Sequence, residues 1–309
     1  MRVVVLGAAG FLGSHLCDRL IFDGNSVVGV DDLSTGSISN LEKVLEDRKF
    51  SFISHNICEN IEIDGSVDVV LNFASPASPK HYQEMPIHTL KTGSLGTNNA
   101  IDFALSKKAR FVMASTSEIY GEPMVHPQTE DYWGNVNPVG DRSCYDEAKR
   151  FSEALCMTYK NSQNLNLGIV RIFNTYGPRL SHGDGRVVSN FVYQALRNDP
   201  LTIYGAGSQT RSFCFVDDLI DVILKMVNSK FTGPVNIGNQ TEISISSLAR
   251  TVIEIAESKS IMKYVILPND DPTQRCPDLS VALCELQWSP KVSLEEGLKR
   301  TISWMRSIA

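Results

Sequence analysis

No apolar run in the chain approaches the ~18 residues that a membrane-spanning helix needs. The N-terminal stretch MRVVVLGAAGFLG is broken by glycine after a short apolar run, unlike a secretory signal. The expectation is a cytoplasmic chain that begins folding at residue 2, with no membrane partner. Dense Lys/Arg runs are also missing, and the net charge is −6, so neither a nucleic acid nor an anionic membrane suits it as a partner. Cysteine is sparse and scattered: seven residues, odd in number, with no C-x-x-C pair. That pattern fits reduced, mostly buried thiols rather than a disulfide framework or a zinc site. The six histidines form no ligand spacing, so no metal is expected, and His81 and His88 read as surface residues.

What is present is an alternation. Short β-branched runs at 2–6, 26–30, 50–53, 67–73, 110–115 and 167–173 are separated by helical patterns, among them 11–23, 92–106 and 145–163. Near-continuous Val/Ile runs alternating with helices predict an α/β fold, a Rossmann-type doubly wound parallel sheet covered on both faces. Such sheets bind ligands at the carboxyl ends of their strands. After residue 173 the rhythm changes to loops rich in Gly, Asn, Asp and Arg. Shorter elements follow, with helices at 188–197, 245–257 and 293–305 and a strand in PVNIGN. The reading is a smaller C-terminal lobe whose segments interleave with the first.

The first strand runs into Gly7-x-x-Gly10-x-x-Gly13, with Gly13 early in a helix. Glycines mark any tight turn, so the pattern alone is weak. Between a strand and a helix, however, it lets backbone N–H groups and a helix N-terminus meet a pyrophosphate. The second strand ends at Asp31-Asp32. A carboxylate there hydrogen-bonds ribose hydroxyls and repels a 2′-phosphate, which favours NAD over NADP. The domain expectation follows: 1–173 as an NAD-binding domain, with 212–240 returning to it, and 174–211 plus 241–309 as the substrate lobe.

The 110–115 strand runs into Thr116-Ser117-Glu118, which places two hydroxyls and a carboxylate in a row where reactive side chains collect in such sheets. In SCYDEAKR, Tyr145 precedes Lys149 by one helical turn. On a helix the two lie about 5–6 Å apart at Cβ. A free tyrosine is a poor base at neutral pH, and a neighbouring ammonium together with a positive nicotinamide would favour its phenolate. Y-x-x-x-K is common by itself; its value here comes from co-occurrence with the glycine turn, Asp31 and Thr116.

That set resembles the extended short-chain dehydrogenase/reductase superfamily, and within it the UDP-glucuronate decarboxylases, or UDP-xylose synthases. The resemblance runs over nearly the whole chain. It is carried by NFASPASP (72–79), LKT (90–92), ASTSEIYG (114–121), VHPQTEDYWGNVNP (125–138), RSCYDEAKR (142–150), RIFNTYGPR (171–179), DGRVVSNF (184–191), IYGAGSQTRSF (203–213) and DDPTQRCPD (270–278). It implies that Gly7, Gly10 and Gly13 form the cofactor turn, with Phe11 and Leu12 lending backbone to the pyrophosphate. Asp31, beside Asp32, holds the ribose. Thr35, Gly36, Asn56 and Ile57 lie on the adenosine side, Ser75 and Thr92 along the cofactor, and Thr175 and Arg186 contact NAD. Thr116, Glu118, Tyr145 and Lys149 fall on the catalytic positions. Lys91, Asn174, Arg179, Tyr204, Arg211 and Arg275 face the nucleotide sugar, with Arg211 or Lys91 meeting its carboxylate. The implied reaction oxidises C4 of UDP-glucuronate, loses CO₂ from the resulting β-keto acid, and returns the hydride to give UDP-xylose. A homodimer built on helices 92–106 and 145–163 is also implied.

Three positions depart from the family pattern: Ala8 where glycine is usual, Asn56 where an aspartate faces the adenine, and Gly93 where asparagine is common. The alternatives are a nucleotide-sugar 4,6-dehydratase or 4-epimerase on the same scaffold, and a non-catalytic NAD-sensing protein. The dehydratases typically carry Asp-Glu in place of Ser117-Glu118, the epimerases usually lack the glutamate, and an NAD sensor would be expected to lose Tyr145 or Lys149.

Overall fold

The structure, a computed structural model, describes residues 1–181, 183–266 and 274–308. Of the stretch 270–278, residues 270–273 therefore lie outside the described residues.

Seven strands form one sheet: Arg2–Leu6, Ser26–Asp31, Phe50–Ser54, Val69–Asn72, Arg110–Thr116, Leu167–Ile172 and Pro234–Ile237. Every neighbouring pair runs parallel. From one edge the order is 234–237, 167–172, 110–116, 69–72, 2–6, 26–31, 50–54. The chain thus builds outward from the first strand in one direction, returns across it, and builds outward in the other. The strands at 2–6 and 69–72 flank the reversal, and a crevice opens above their carboxyl ends. The doubly wound parallel sheet read from the sequence is borne out.

Alternation along the first strand explains why the sheet is covered twice. Val3 and Val5 enter one core with Leu16, Leu20, Val222 and Ile223, while Val4 and Leu6 enter the other with Ile101, Ala104, Phe111 and Met113. Successive strand side chains point to opposite faces, so a run with no polar residue demands two partners. Helices Phe11–Phe22 and Val216–Asn228 supply one, and helices Thr97–Lys107 and Ser143–Gln163 the other. The first core continues into helices Val187–Leu196, Ile245–Ala256 and Leu294–Ile308 through Phe191, Val192, Leu248, Val252 and Leu298.

The helix expected at 92–106 begins earlier. Pro86 opens a helix Pro86–Lys91, residues Thr92–Gly96 continue it as a π-helical turn, and Thr97–Lys107 completes it. A proline at the first helical position has no amide to waste, so it serves as the start that the sequence reading missed. Beyond the main sheet, Thr210–Ser212 pairs antiparallel with Glu242–Ser244 and parallel with Gln274–Arg275. Leu201–Tyr204 pairs with Met262–Val265.

Candidate active site

The glycine turn is fixed by contact. Gly7 has φ +81°, in the region that favours glycine, and a Cβ there would lie 2.7 Å from the backbone of Phe73 and Ala74. A Cβ on Gly13 would lie 1.9 Å from the Gly7 carbonyl oxygen. Any larger residue at either position would push the helix off the strand end. Gly10 precedes helix Phe11–Phe22 with no side-chain cap, so the first amides of the helix, at Phe11 and Leu12, are not met by a cap. A helix N-terminus of this kind is suited to an anion.

Asp31, at the end of its strand, accepts from Ala9 N–H at 2.9 Å and from Leu33 N–H at 2.8 Å. Burial raises its carboxyl above the ordinary range, and those amide bonds oppose the rise. Each oxygen keeps lone pairs for ribose hydroxyls. A crevice above the strand ends is lined by Gly7, Gly10, Asp31, Asp32, Thr35, Asn56, Ile57, Ser75 and Thr92, so nine of the expected cofactor residues meet in one place. Gly36 packs on Ala9 beside it. The crevice also holds His88, whose Nε2 stands 3.6 Å from Asp32 Oδ2, a role its reading as a surface residue did not foresee. Asn56 turns its Oδ1 to the Cys58 N–H at 2.9 Å. Glycines that a Cβ would disrupt, an uncapped helix start and a fixed carboxylate fit a dinucleotide.

Strand Arg110–Thr116 ends at the second cluster. Thr116 hydrogen-bonds the Tyr145 phenol through its side chain, and its Oγ1 accepts the Glu118 N–H at 3.3 Å. Tyr145 is buried and stacks on Tyr82, centroids 5.1 Å apart and planes at 7°. Lys149 donates to the Ala114 carbonyl at 2.9 Å and stands 5.9 Å from the Tyr145 ring centroid. Burial outweighs the Thr116 bond and the Arg186 charge, and pushes Tyr145 up to about 12 instead of down. Lys149 is itself lowered to about 8 by burial, and its proton is engaged by Ala114. The phenolate is therefore disfavoured in the protein alone.

In the unliganded protein burial would raise the pKa of Glu118, but Arg275, Arg142 and Arg211 prevail and hold it down at about 2. Arg142 Nη2 hydrogen-bonds Glu118 Oε2, and Arg275 Nη2 lies 3.2 Å from the same oxygen. Arg275 is fully buried and also donates to the Ser117 carbonyl at 2.6 Å. The residue expected to face the sugar thus forms the floor under Glu118. Asp146, beside Tyr145, is raised to about 7 by burial and by Glu118, against Arg142 and Arg275; its Oδ1 is buried with no partner among the described residues.

The other expected residues divide. Arg186 donates to Ala77 O at 3.1 Å and its charge reaches Tyr145, while Thr175 bonds its side chain to Phe173 O at 2.9 Å. Asn174 accepts the Cys214 N–H through its carbonyl at 2.9 Å. Arg179 is drawn to Asp18 at 2.5 Å, which ties its loop to helix Phe11–Phe22 rather than to Glu118. Tyr204 is half-exposed at a strand end, and Lys91 is exposed near Cys58. Arg142, Asp146 and Tyr82 were missed. Arg142 and Asp146 stand inside the RSCYDEAKR stretch at helical spacing, 4.0 Å apart, a signal the Tyr–Lys pair overshadowed. Tyr82 lies in a separate short helix, Pro79–Glu84, and carried no signal.

A sequence model of the NAD dependent epimerase/dehydratase family matches residues 3–238. The chain is 46% identical over 305 residues to UDP-glucuronic acid decarboxylase 1 from Xenopus tropicalis, covering 99% of this chain and 72% of that protein. Among solved structures it is similar to UDP-glucose 4-epimerase from Thermotoga maritima, with a TM-score of 0.91, 28% identity, and 100% and 99% of the two chains covered. It is also similar to UDP-glucuronic acid 4-epimerase from Bacillus cereus in complex with UDP-glucuronic acid and NAD, with a TM-score of 0.89, 28% identity and both chains fully covered.

Proposed function

The chain belongs to the NAD dependent epimerase/dehydratase family, and on that premise we propose that it decarboxylates UDP-glucuronate to UDP-xylose, with NAD restored in each turnover. The single observation that carries this reading is the strand-end cluster, in which Tyr145 and Thr116 stand next to a glutamate held ionised by three arginines. The similarity to a decarboxylase at 46% identity, against 28% for the epimerases, supports the same choice.

NAD, when bound, would supply the acceptor for the hydride leaving C4 and the donor of that hydride once CO₂ is lost. Gly7, Gly10 and the start of helix Phe11–Phe22 would hold its pyrophosphate, and Asp31 would hold its ribose. Tyr145 takes the proton of the 4-hydroxyl and later returns it, with Thr116 fixing the phenol's direction. Lys149 keeps a cation near the ring, and the positive charge of a bound oxidised cofactor would add to it and draw Tyr145 down from its burial-raised value. Arg142, Arg211 and Arg275 give the substrate's carboxylate and phosphates a cationic surround, in which Glu118 is the resident anion that an incoming anion competes with. Once C4 is a ketone the carboxylate is β to it, and losing CO₂ leaves an enolate. Glu118 stands in the same strand-end loop; with the substrate's carboxylate competing for its arginines, it takes up a proton from solvent and passes it to C5. Residues 174–211 and 241–309 form the sugar-binding side, and the chain works as a homodimer in the cytoplasm.

Incubation with UDP-glucuronate and NAD, followed by NMR, should show UDP-xylose and CO₂. A product that keeps its carboxylate and is inverted at C4 would make the chain a 4-epimerase, and loss of water without CO₂ would make it a dehydratase.

A further inference from the structure

Far from one another in sequence, His126, Glu242 and Cys276 converge. One donor atom from each lies within 4.8 Å of the other two, and His126 Nε2 and Glu242 Oε2 are already 3.0 Å apart. We propose that these three side chains form a site for a thiophilic divalent cation, Zn²⁺, which fastens together the three segments that carry them. Imidazole nitrogen, thiolate sulfur and carboxylate oxygen are the donors Zn²⁺ takes, and three protein ligands leave a fourth position for water. Mg²⁺ and Ca²⁺ prefer oxygen and have no use for the thiol.

The donors are held by the backbone. Gln128 N–H donates to the Cys276 carbonyl at 2.9 Å, and the Cys276 N–H donates to Gln128 Oε1 at 2.9 Å. The Asp278 N–H returns to the Gln128 carbonyl at 2.8 Å. Glu242 lies on a strand of the small sheet, and its Oε1 accepts from Thr210 Oγ1 at 2.7 Å, leaving Oε2 directed at His126. The thiol is buried while the imidazole and carboxylate are open to solvent, which gives an entry path ending on sulfur. The same sheet carries Arg211 opposite Ile243 and Arg275 directly before Cys276. A cation here therefore braces the strands that present two arginines to Glu118. No local spacing signals this cluster, because its three ligands come from segments far apart in the chain.

The test uses Co²⁺ and Zn²⁺ on the whole chain after chelator treatment. Co²⁺ should bind with a thiolate charge-transfer band in the near ultraviolet, and Zn²⁺ should displace it and raise Tm. Cys276→Ser should abolish the band and the Tm shift, whereas Cys284→Ser, at an exposed thiol, should leave both. His126→Ala and Glu242→Gln change exposed side chains and should weaken binding by at least about tenfold, so the proposal stays testable if Cys276→Ser folds poorly. A band that survives in Cys276→Ser, a band lost in Cys284→Ser, Mg²⁺ raising Tm as well as Zn²⁺, or His126→Ala and Glu242→Gln binding as tightly as the parent would each overturn it.

Discussion

At Glu118 a buried carboxylate meets three guanidinium groups, and at Tyr145, close by, a buried phenol meets none closely enough to ionise it. The two acid–base candidates are therefore set apart by environment: in the protein alone Glu118 is ionised and Tyr145 is neutral at neutral pH. Tyr145→Phe keeps the ring that stacks on Tyr82 and removes the proton acceptor, so the rate should fall at least ~10²–10⁴-fold with NAD still bound. It should form almost no NADH in a single turnover, whereas Glu118→Gln should accumulate NADH because oxidation proceeds and the later steps slow. If both variants block NADH formation equally, Glu118 belongs to oxidation or binding. Asp146 makes a separate prediction about stability. Its folded pKa, about 7, lies above the ordinary aspartate value, so the native state binds the extra proton. Stability should then fall as pH rises from the ordinary aspartate value to about 7, and level off above. Urea melts at pH about 5 and about 8 should differ by roughly 2–3 kcal/mol from this group, and Asp146→Asn should remove that part of the slope. An unchanged slope would mean that Asp146 ionises normally.

The element that positions this chemistry is helix Ser143–Gln163, and its partner is the continuous 86–107 helix with its π-helical turn. They meet at Gly93, where a Cβ would stand 2.7 Å from the Ala148 Cβ, one residue before Lys149. The departure from asparagine at Gly93 thus has a steric reason: Ala148 occupies the space. Gly93→Ala should destabilise by about 1–3 kcal/mol, and adding Ala148→Gly should restore part of it, read from urea denaturation of all four members of the cycle. Purely additive losses would show that the two side chains do not collide. These helices also show what the sequence could and could not reveal. Periodicity located both of them, because long apolar spacing is set by burial against the sheet. It missed the true start at Pro86, and it gave no warning that Tyr82, outside both helices, would stack on Tyr145. Strand ends and glycine turns were legible for the same reason, since their chemistry is local. The pairing of Arg179 with Asp18 was not legible, because Asp18 lies on a helix far away in sequence.

On the scale of the whole molecule, a parallel sheet covered on both faces follows from runs of Val and Ile that leave no polar face, so it could be read from the sequence; the meeting of His126 with Cys276 could not, because long-range loop packing has no period. One surface remains to be covered. Ile87, Leu90 and Leu95, on the helical stretch from Pro86 to Gly96, are 64%, 39% and 54% exposed, and Phe151 on the packed neighbouring helix is 50% exposed. Apolar side chains gathered on two adjacent helices are what a symmetric interface buries, since a two-fold axis lets the same pair of helices meet its copy. The particle should therefore have twice the 34.2 kDa of the chain in light scattering at micromolar concentration. Leu95→Glu with Phe151→Glu should yield monomers, because each charge would be carried twice into an apolar contact. Those monomers should still bind NAD, as neither residue lines the crevice at Asp31. A parent protein that is monomeric at every concentration, or a double variant that stays dimeric, would place the interface elsewhere.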